Sequence, residues 1–152
     1  GGSAYPIVHM KGKSDYATAP VGEDGVVAFL TALTRRPPGS MSVLCDAYGG
    51  AIGDPAGDAT AFAHRKGTLY SVQYYASWTD PAETSARLAA VDAVHAALHP
   101  HMSGGAYVNY CDLDLADWQR AYWGANLTRL RAVKRAADPA NLFRHAQSVP
   151  PA

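Results

Sequence analysis

Residues 68–78, Thr-Leu-Tyr-Ser-Val-Gln-Tyr-Tyr-Ala-Ser-Trp, constrain the fold of this chain more than any other stretch. Successive side chains of an extended strand point to opposite faces. The run therefore divides into Tyr70, Val72, Tyr74, Ala76 and Trp78 on one side and Leu69, Ser71, Gln73, Tyr75 and Ser77 on the other. The first set is large and apolar and predicts a layer of helices over it. The second is smaller and more polar and predicts a face that looks into a cavity. A strand with two such faces belongs inside a sheet, and its partners must come from elsewhere in the chain.

Two runs before it and one after it read as those partners. Ala4 to Tyr16 reads as a strand running into a turn, with Tyr5, Ile7, His9 and Lys11 on one side. Met41 to Tyr48 reads as a strand ended by Gly49-Gly50, and Gly104 to Tyr110 as a further strand. Apolar residues at Val26, Val27, Phe29, Leu30 and Leu33 predict a helix over Gly22 to Arg36, opened by Glu23 and Asp24 and stopped by Pro37-Pro38-Gly39. Asp80-Pro81 opens a second helix that runs through Leu98 and ends at Pro100. Asp114 to Gly124 and Ala125 to Ala137 read as two more, the last stopped by Asp138-Pro139. Residues 51–67 are rich in Gly, Asp and Pro and read as a loop with a short extended piece at Thr60 to Ala63. Gly1-Gly2-Ser3 reads as a linker. The pattern predicts an α+β fold, an antiparallel sheet with helices on one face followed by a C-terminal helical segment.

Several classes of function fall away. The 152 residues suit one domain. With 48% hydrophobic residues and a net charge of +0, neither disorder nor nucleic-acid binding is expected, and no Lys/Arg run makes a basic patch. No apolar stretch approaches the roughly 18 residues of a membrane span, and no signal peptide is visible. Cys45 and Cys111 fit neither a C-x-x-C pair nor a zinc signature; they read as free buried thiols, with one bridge as the alternative. His95 and His99 have the i, i+4 spacing of helical metal ligands, but no Glu follows His95 and no acid lies between them. With His101 they read as a solvated helix end, and no metal site is expected.

The chain closes on three motifs in order: Tyr107-Val108-Asn109-Tyr110-Cys111-Asp112, then Tyr122-Trp123-Gly124-Ala125-Asn126-Leu127-Thr128-Arg129-Leu130, then Asp138-Pro139-Ala140-Asn141-Leu142-Phe143. This order resembles the C-terminal segment of the berberine-bridge-enzyme-like FAD-linked oxidases, where Y-x-N-Y-x-D, Y-[YW]-G-x-N-x-x-R-L and K-x-x-x-D-P-x-N-x-F follow one another. The likeness extends upstream. Lys11 to Tyr16 resembles the family's K-x-K-S-x-[FY] strand, and Asp46 to Ile52 its Y-G-G loop. Thr60 to Arg65 resembles its T-A-F-P-H-R stretch, and Leu69 to Tyr74 the strand that follows.

The resemblance implies a two-part architecture in which an N-terminal module binds FAD and a C-terminal sheet covers the isoalloxazine and forms the substrate cavity. Residues 1–100 are then expected to be the substrate-binding sheet and helix region and 101–152 the C-terminal segment, in one compact unit. FAD is expected to be held mainly by a module not present in this chain. By the same resemblance Tyr110 lies beside the flavin and helps deprotonate the substrate, and Asn109 contacts the flavin edge. Gln73 falls on a cavity-facing position that is a carboxylate base in some members; glutamine takes no proton at neutral pH, so that mechanism does not carry over. Oxidation moves a hydride to flavin while a base removes the other proton. A tyrosine, with a pKa near about 10, acts as base only when its phenolate is stabilised. Tyr122, Asn126 and Arg129 are placed against the FAD module, and Arg129, Arg131 and Lys134 on a solvated or inter-domain face. The implied function is the substrate-binding part of an FAD-dependent oxidoreductase acting on an alcohol, sugar or other small organic substrate, inactive as this chain alone. A stand-alone small-molecule-binding domain and one chain of a split FAD oxidase are the alternatives.

Overall fold

The computed structural model describes residues 8–151. Its elements are β1 (His9–Ala17), α1 (Glu23–Arg35), β2 (Ser42–Ala47), β3 (Tyr70–Trp78), α2 (Thr84–Leu98), α3 (Trp118–Trp123) and α4 (Leu127–Ala137). β3 is the centre of a three-stranded antiparallel sheet ordered β1-β3-β2. Ser14 and Leu44 both face Gln73 across the ladders, while Lys13 and Val43 face Tyr74. The fold is therefore α+β with an antiparallel sheet, as the sequence predicts.

The two faces of β3 divide as their side chains require. Val72, Tyr74, Ala76 and Trp78 are buried against Ala90, Val91, Val94 and Leu98 of α2. Trp78 fixes the start of that helix by donating its indole N–H to Thr84 Oγ1 at 2.9 Å. α1 packs on α2, burying the sides of Phe29, Ala32 and Leu33 while Val26, Val27 and Leu30 face outward. Gly25 permits the approach: a Cβ there would lie 2.6 Å from Val21 Cγ1 and 2.7 Å from His101 Cγ. A second, smaller apolar cluster joins Ala106, Ala121 and Tyr122, flanked by Val108, Leu115, Trp118 and Trp123.

Several expectations change. The predicted strand residues Ala4 to Ile7 lie outside the described residues, and β1 begins at His9. Gly104 to Tyr110 forms no strand. Gly104 has a φ of +77°, Ala106 N donates to Ala121 O, and Tyr107 N donates to Ser14 Oγ. A helix and a side chain thus satisfy a backbone that no neighbouring strand reaches. Thr60 to Ala63 likewise joins no ladder.

The second helix is preceded by a single 3-10 turn at Pro81–Glu83, capped by Asp80. It gives way to another at His99–His101, so Pro100 sits inside that turn rather than stopping the chain's rotation. The predicted 114–124 helix is confined to Trp118–Trp123, and a 3-10 turn at Gly124–Asn126 joins it to α4. Cys45 and Cys111 are free, but both are exposed rather than buried, one on edge strand β2 and the other in a loop. Among the described residues no helix is long and apolar enough to cross a membrane.

Candidate functional site

Beside β1, β3 and Leu88 of α2, the chain after Tyr107 folds back. Between them lies an open groove of about 570 Å³, lined among others by Gly12, Gln73, Tyr75, Asn109 and Tyr110. The structure thus brings the three sequence-predicted site residues to one cavity. Gln73 and Tyr110 are half-buried and Asn109 is exposed.

Aromatic rings set the position of Tyr110. Its ring meets Tyr107 edge-on at 4.9 Å, and Phe62 meets Tyr107 in the same way at 6.1 Å. Behind them the fully buried Tyr16 stacks on His64 at 4.2 Å and meets the edge of Tyr48 at 5.6 Å. Asn109 Nδ2 donates to Tyr107 Oη at 2.7 Å, which fixes the carboxamide. His64 Nε2 lies 2.9 Å from Ala121 O, and since a carbonyl only accepts, that nitrogen carries the proton. Burial lowers the His64 pKa and outweighs the backbone contacts that act to raise it. Gly105 leaves room for this ring, because a Cβ there would stand 2.6 Å from His64 Cε1. His64 and Arg65 organise the loop, the latter through Ile52 O, Thr60 Oγ1 and the face of Phe62.

The phenol of Tyr110 is not prepared as a base by this chain. Partial burial pushes its pKa above the ordinary 10.0, and Asp46, Tyr107 and Tyr48 push it further. The cation lining the groove, Lys11, is already committed to Asp112 and Asp114, each at 2.5 Å.

That ion cluster anchors the Asn109-Tyr110 turn. Asp112 is buried and accepts from both Lys11 and Lys13, the latter at 3.0 Å; Lys13 also reaches Asp92 at 3.3 Å. Burial raises the Asp112 pKa, but the lysine hydrogen bonds outweigh it and hold the carboxyl below its ordinary value. Burial lowers that of Lys11, and the two carboxylates outweigh this and hold it above 10.5. The Asp112 peptide is fixed as well. Its N–H donates to Tyr122 Oη at 2.9 Å and its C=O accepts from Gln147 Nε2 at 2.7 Å, while Tyr122 Oη donates to Gln147 Oε1 at 3.3 Å. Sequence reasoning quoted these residues inside motifs without giving them this task. The available signal was the matching i, i+2 spacing of Lys11/Lys13 and Asp112/Asp114.

Residues expected on outward or inter-domain faces also have partners within this chain. Tyr122 is buried within this chain, Asn126 Nδ2 holds Gly57 O and Thr60 O, and Arg129 holds Asp58 O at 2.9 Å. These residues brace this chain's own loop. Lys134 is no solvated charge either, being bonded to Asp138 and the Phe143 carbonyl. Nor is the end of α2 a solvated histidine cluster. His95 and His99 pack against the buried Asp15, while His101 is exposed.

The groove suits one part of FAD and not another. The carboxamides of Gln73 and Asn109, the Tyr110 hydroxyl and the Tyr75 ring match the carbonyls, ring nitrogens and aromatic face of an isoalloxazine. Trp123, beside Asn109 in the adjoining depression, carries a buried indole N–H with no partner among the described residues. Nothing comparable awaits the phosphates, since Lys11 is taken and no glycine-rich strand–turn–helix is present among the described residues.

Comparison with known proteins gives first a class. The solved berberine bridge enzyme of Eschscholzia californica superposes with a TM-score of 0.87 at 26% identity, over 99% of this chain and 34% of that one. The fold is that of one portion of an FAD-linked oxidoreductase. Sequence comparison points the same way. Residues 106–150 match the family model "Berberine and berberine like". Over 93% of its length the chain is 34% identical to berberine bridge enzyme-like C-1 of Nicotiana tabacum, and equally to an uncharacterised FAD-linked oxidoreductase of Bacillus subtilis. Over nearly its whole length the chain is similar to one portion of the berberine-bridge-enzyme-like FAD-linked oxidases, and it spans 31% of the length of these two relatives.

Proposed function

We propose that this chain forms the substrate-side wall and C-terminal segment of an FAD-dependent oxidoreductase acting on an alcohol, sugar or other small organic substrate. In this reading residues 1–100 supply the sheet and residues 101–152 the segment that closes over it. The observation that carries the proposal is the groove in which Gln73, Asn109 and Tyr110 meet.

When bound, the flavin supplies the hydride acceptor, and it is held mainly by a module outside this chain. Gln73 then orients a substrate hydroxyl, donating and accepting from one carboxamide. A cation from outside this chain that offsets Asp46 lets the Tyr110 phenol ionise, and its phenolate then accepts the substrate O–H and takes its proton. Asn109, fixed by Tyr107, faces the flavin edge, and Tyr75 shields the reacting carbon from water.

The test is anaerobic flavin reduction in the loaded protein, with this chain joined to its flavin module and a panel of sugars, alkaloids, polyketides and alcohols. Tyr110→Phe is expected to slow reduction by about 10²–10⁴-fold with little change in substrate affinity. Gln73→Ala is expected to weaken substrate binding first. An unchanged reduction rate in Tyr110→Phe would remove that residue from the chemistry. A colourless monomer that binds such ligands and associates with no flavin module would instead mark a stand-alone binding domain.

A further inference from the structure

We propose that Asp15, His95 and His99 form a site for a divalent transition-metal ion, best matched by zinc, on the helix-covered side of the sheet. His99 Nδ1 lies 2.7 Å from Asp15 Oδ1, and His95 Nε2 lies 3.4 Å from Asp15 Oδ2. One ligand atom from each of the three residues falls within 4.8 Å of the other two. Zinc holds nitrogen and oxygen donors at about 2.0–2.2 Å, which places tetrahedral neighbours roughly 3.3–3.5 Å apart. The observed separations bracket that spacing, so side-chain rotation suffices to close the triad on an ion. The histidines stand one helical turn apart at the end of α2, and β1 supplies the carboxylate.

Further observations favour a metal over a simple hydrogen-bonded triad. Asp15 is 1% exposed, and Tyr74 Oη donates to its Oδ2 at 2.9 Å, the kind of outer contact that orients a ligating carboxylate. The surrounding charge is also negative. Asp15, Asp92, Asp112 and Asp114 oppose only Lys11 and Lys13, leaving two carboxylates in excess among these groups. His99, with 42% of its side chain exposed, gives an ion access from solvent. The adjoining cleft of about 10 Å³ has room for a single water as the fourth ligand. Two imidazoles select zinc or a similar ion over calcium or magnesium. Such an ion would staple β1 to the end of α2, in a cleft that shares Tyr110 with the substrate groove.

The experiment is equilibrium dialysis of the chelator-treated chain against Zn(II), in a Cys45→Ser, Cys111→Ser background so that exposed thiols do not contribute. The expected result is one zinc per chain, a raised melting temperature, and the visible spectrum of four-coordinate Co(II) when cobalt is substituted. His99→Ala and His95→Gln should each weaken binding by about tenfold or more, with far-UV circular dichroism unchanged. Tyr74→Phe should weaken it less. Binding below one equivalent, or full binding in both folded histidine variants, would overturn the site.

Discussion

The sheet and α2 cohere through ladders and apolar volume, whereas the chain from Gly105 to Pro150 coheres through single polar atoms. In the first region Val72, Tyr74, Val91 and Val94 are almost fully buried and the backbone groups of three strands pair with one another. In the second, the apolar cluster is small. Individual side chains do the joining: Asp112 and Gln147 to Tyr122, Asn126 to the 57–60 loop, and Asp138 to the N–H groups of Leu142 and Phe143. A ladder spreads its stability over many similar bonds. A knot of side chains concentrates it, so one lost atom strands a buried partner.

The sharpest way to break this contrast is Asp112→Ala, which leaves Lys11 and Lys13 short of a carboxylate. It should cost about 3–5 kcal/mol in urea unfolding. Leu98→Ala, the matching insult to the sheet region, should cost about 3 kcal/mol through the cavity it opens. If Leu98→Ala proves clearly the worse, the C-terminal segment depends less on its ion cluster than the geometry indicates. Tyr122→Phe removes one hydroxyl with two partners and should cost about 1–2 kcal/mol, again read from the urea midpoint.

Acid sharpens the comparison further. The folded pKa of Asp112 is depressed, so its contribution is present above the unfolded value of 3.8 and is lost as pH falls through the folded one. That of Lys11 is raised, so its contribution is present below 10.5 and is lost as pH rises through the folded value. The pair therefore stabilises the fold across the range between. Asp112→Asn should lose less stability than the parent chain between about pH 7 and about pH 3. The smallest effect is expected at Cys45 and Cys111: both should react with a thiol reagent under native conditions, with no change in melting temperature.

β3 was legible in the sequence because its alternation coincides with its burial. α1 and α2 were legible because breakers bound them on both sides. The 104–110 segment was misread for a related reason. Alternating apolar residues record alternating burial, and here α3 and Ser14, rather than a strand, receive the backbone. Gln73, Asn109 and Tyr110 were named largely from resemblance, and the geometry gathers them. Their neighbours Tyr48, Phe62 and Tyr107 come from separate loops, which periodicity within one element does not register. The acid that completes His95 and His99 sits 84 residues from His99, beyond the reach of any local spacing rule.

The strand order carries a consequence for how the chain is made. β3 is both the middle strand and the last of the three in sequence, so β1 and β2 have no partner in this sheet until Trp78 exists. At roughly 5–20 residues per second of synthesis, β1 waits several seconds while unpaired. Loops as long as the one from Ala17 to Tyr70 also close slowly. During that wait Lys11, Lys13 and Asp15 keep an otherwise adhesive segment hydrated, as charged residues on exposed edges do. The charges that later lock the finished molecule first serve as its protection against premature association.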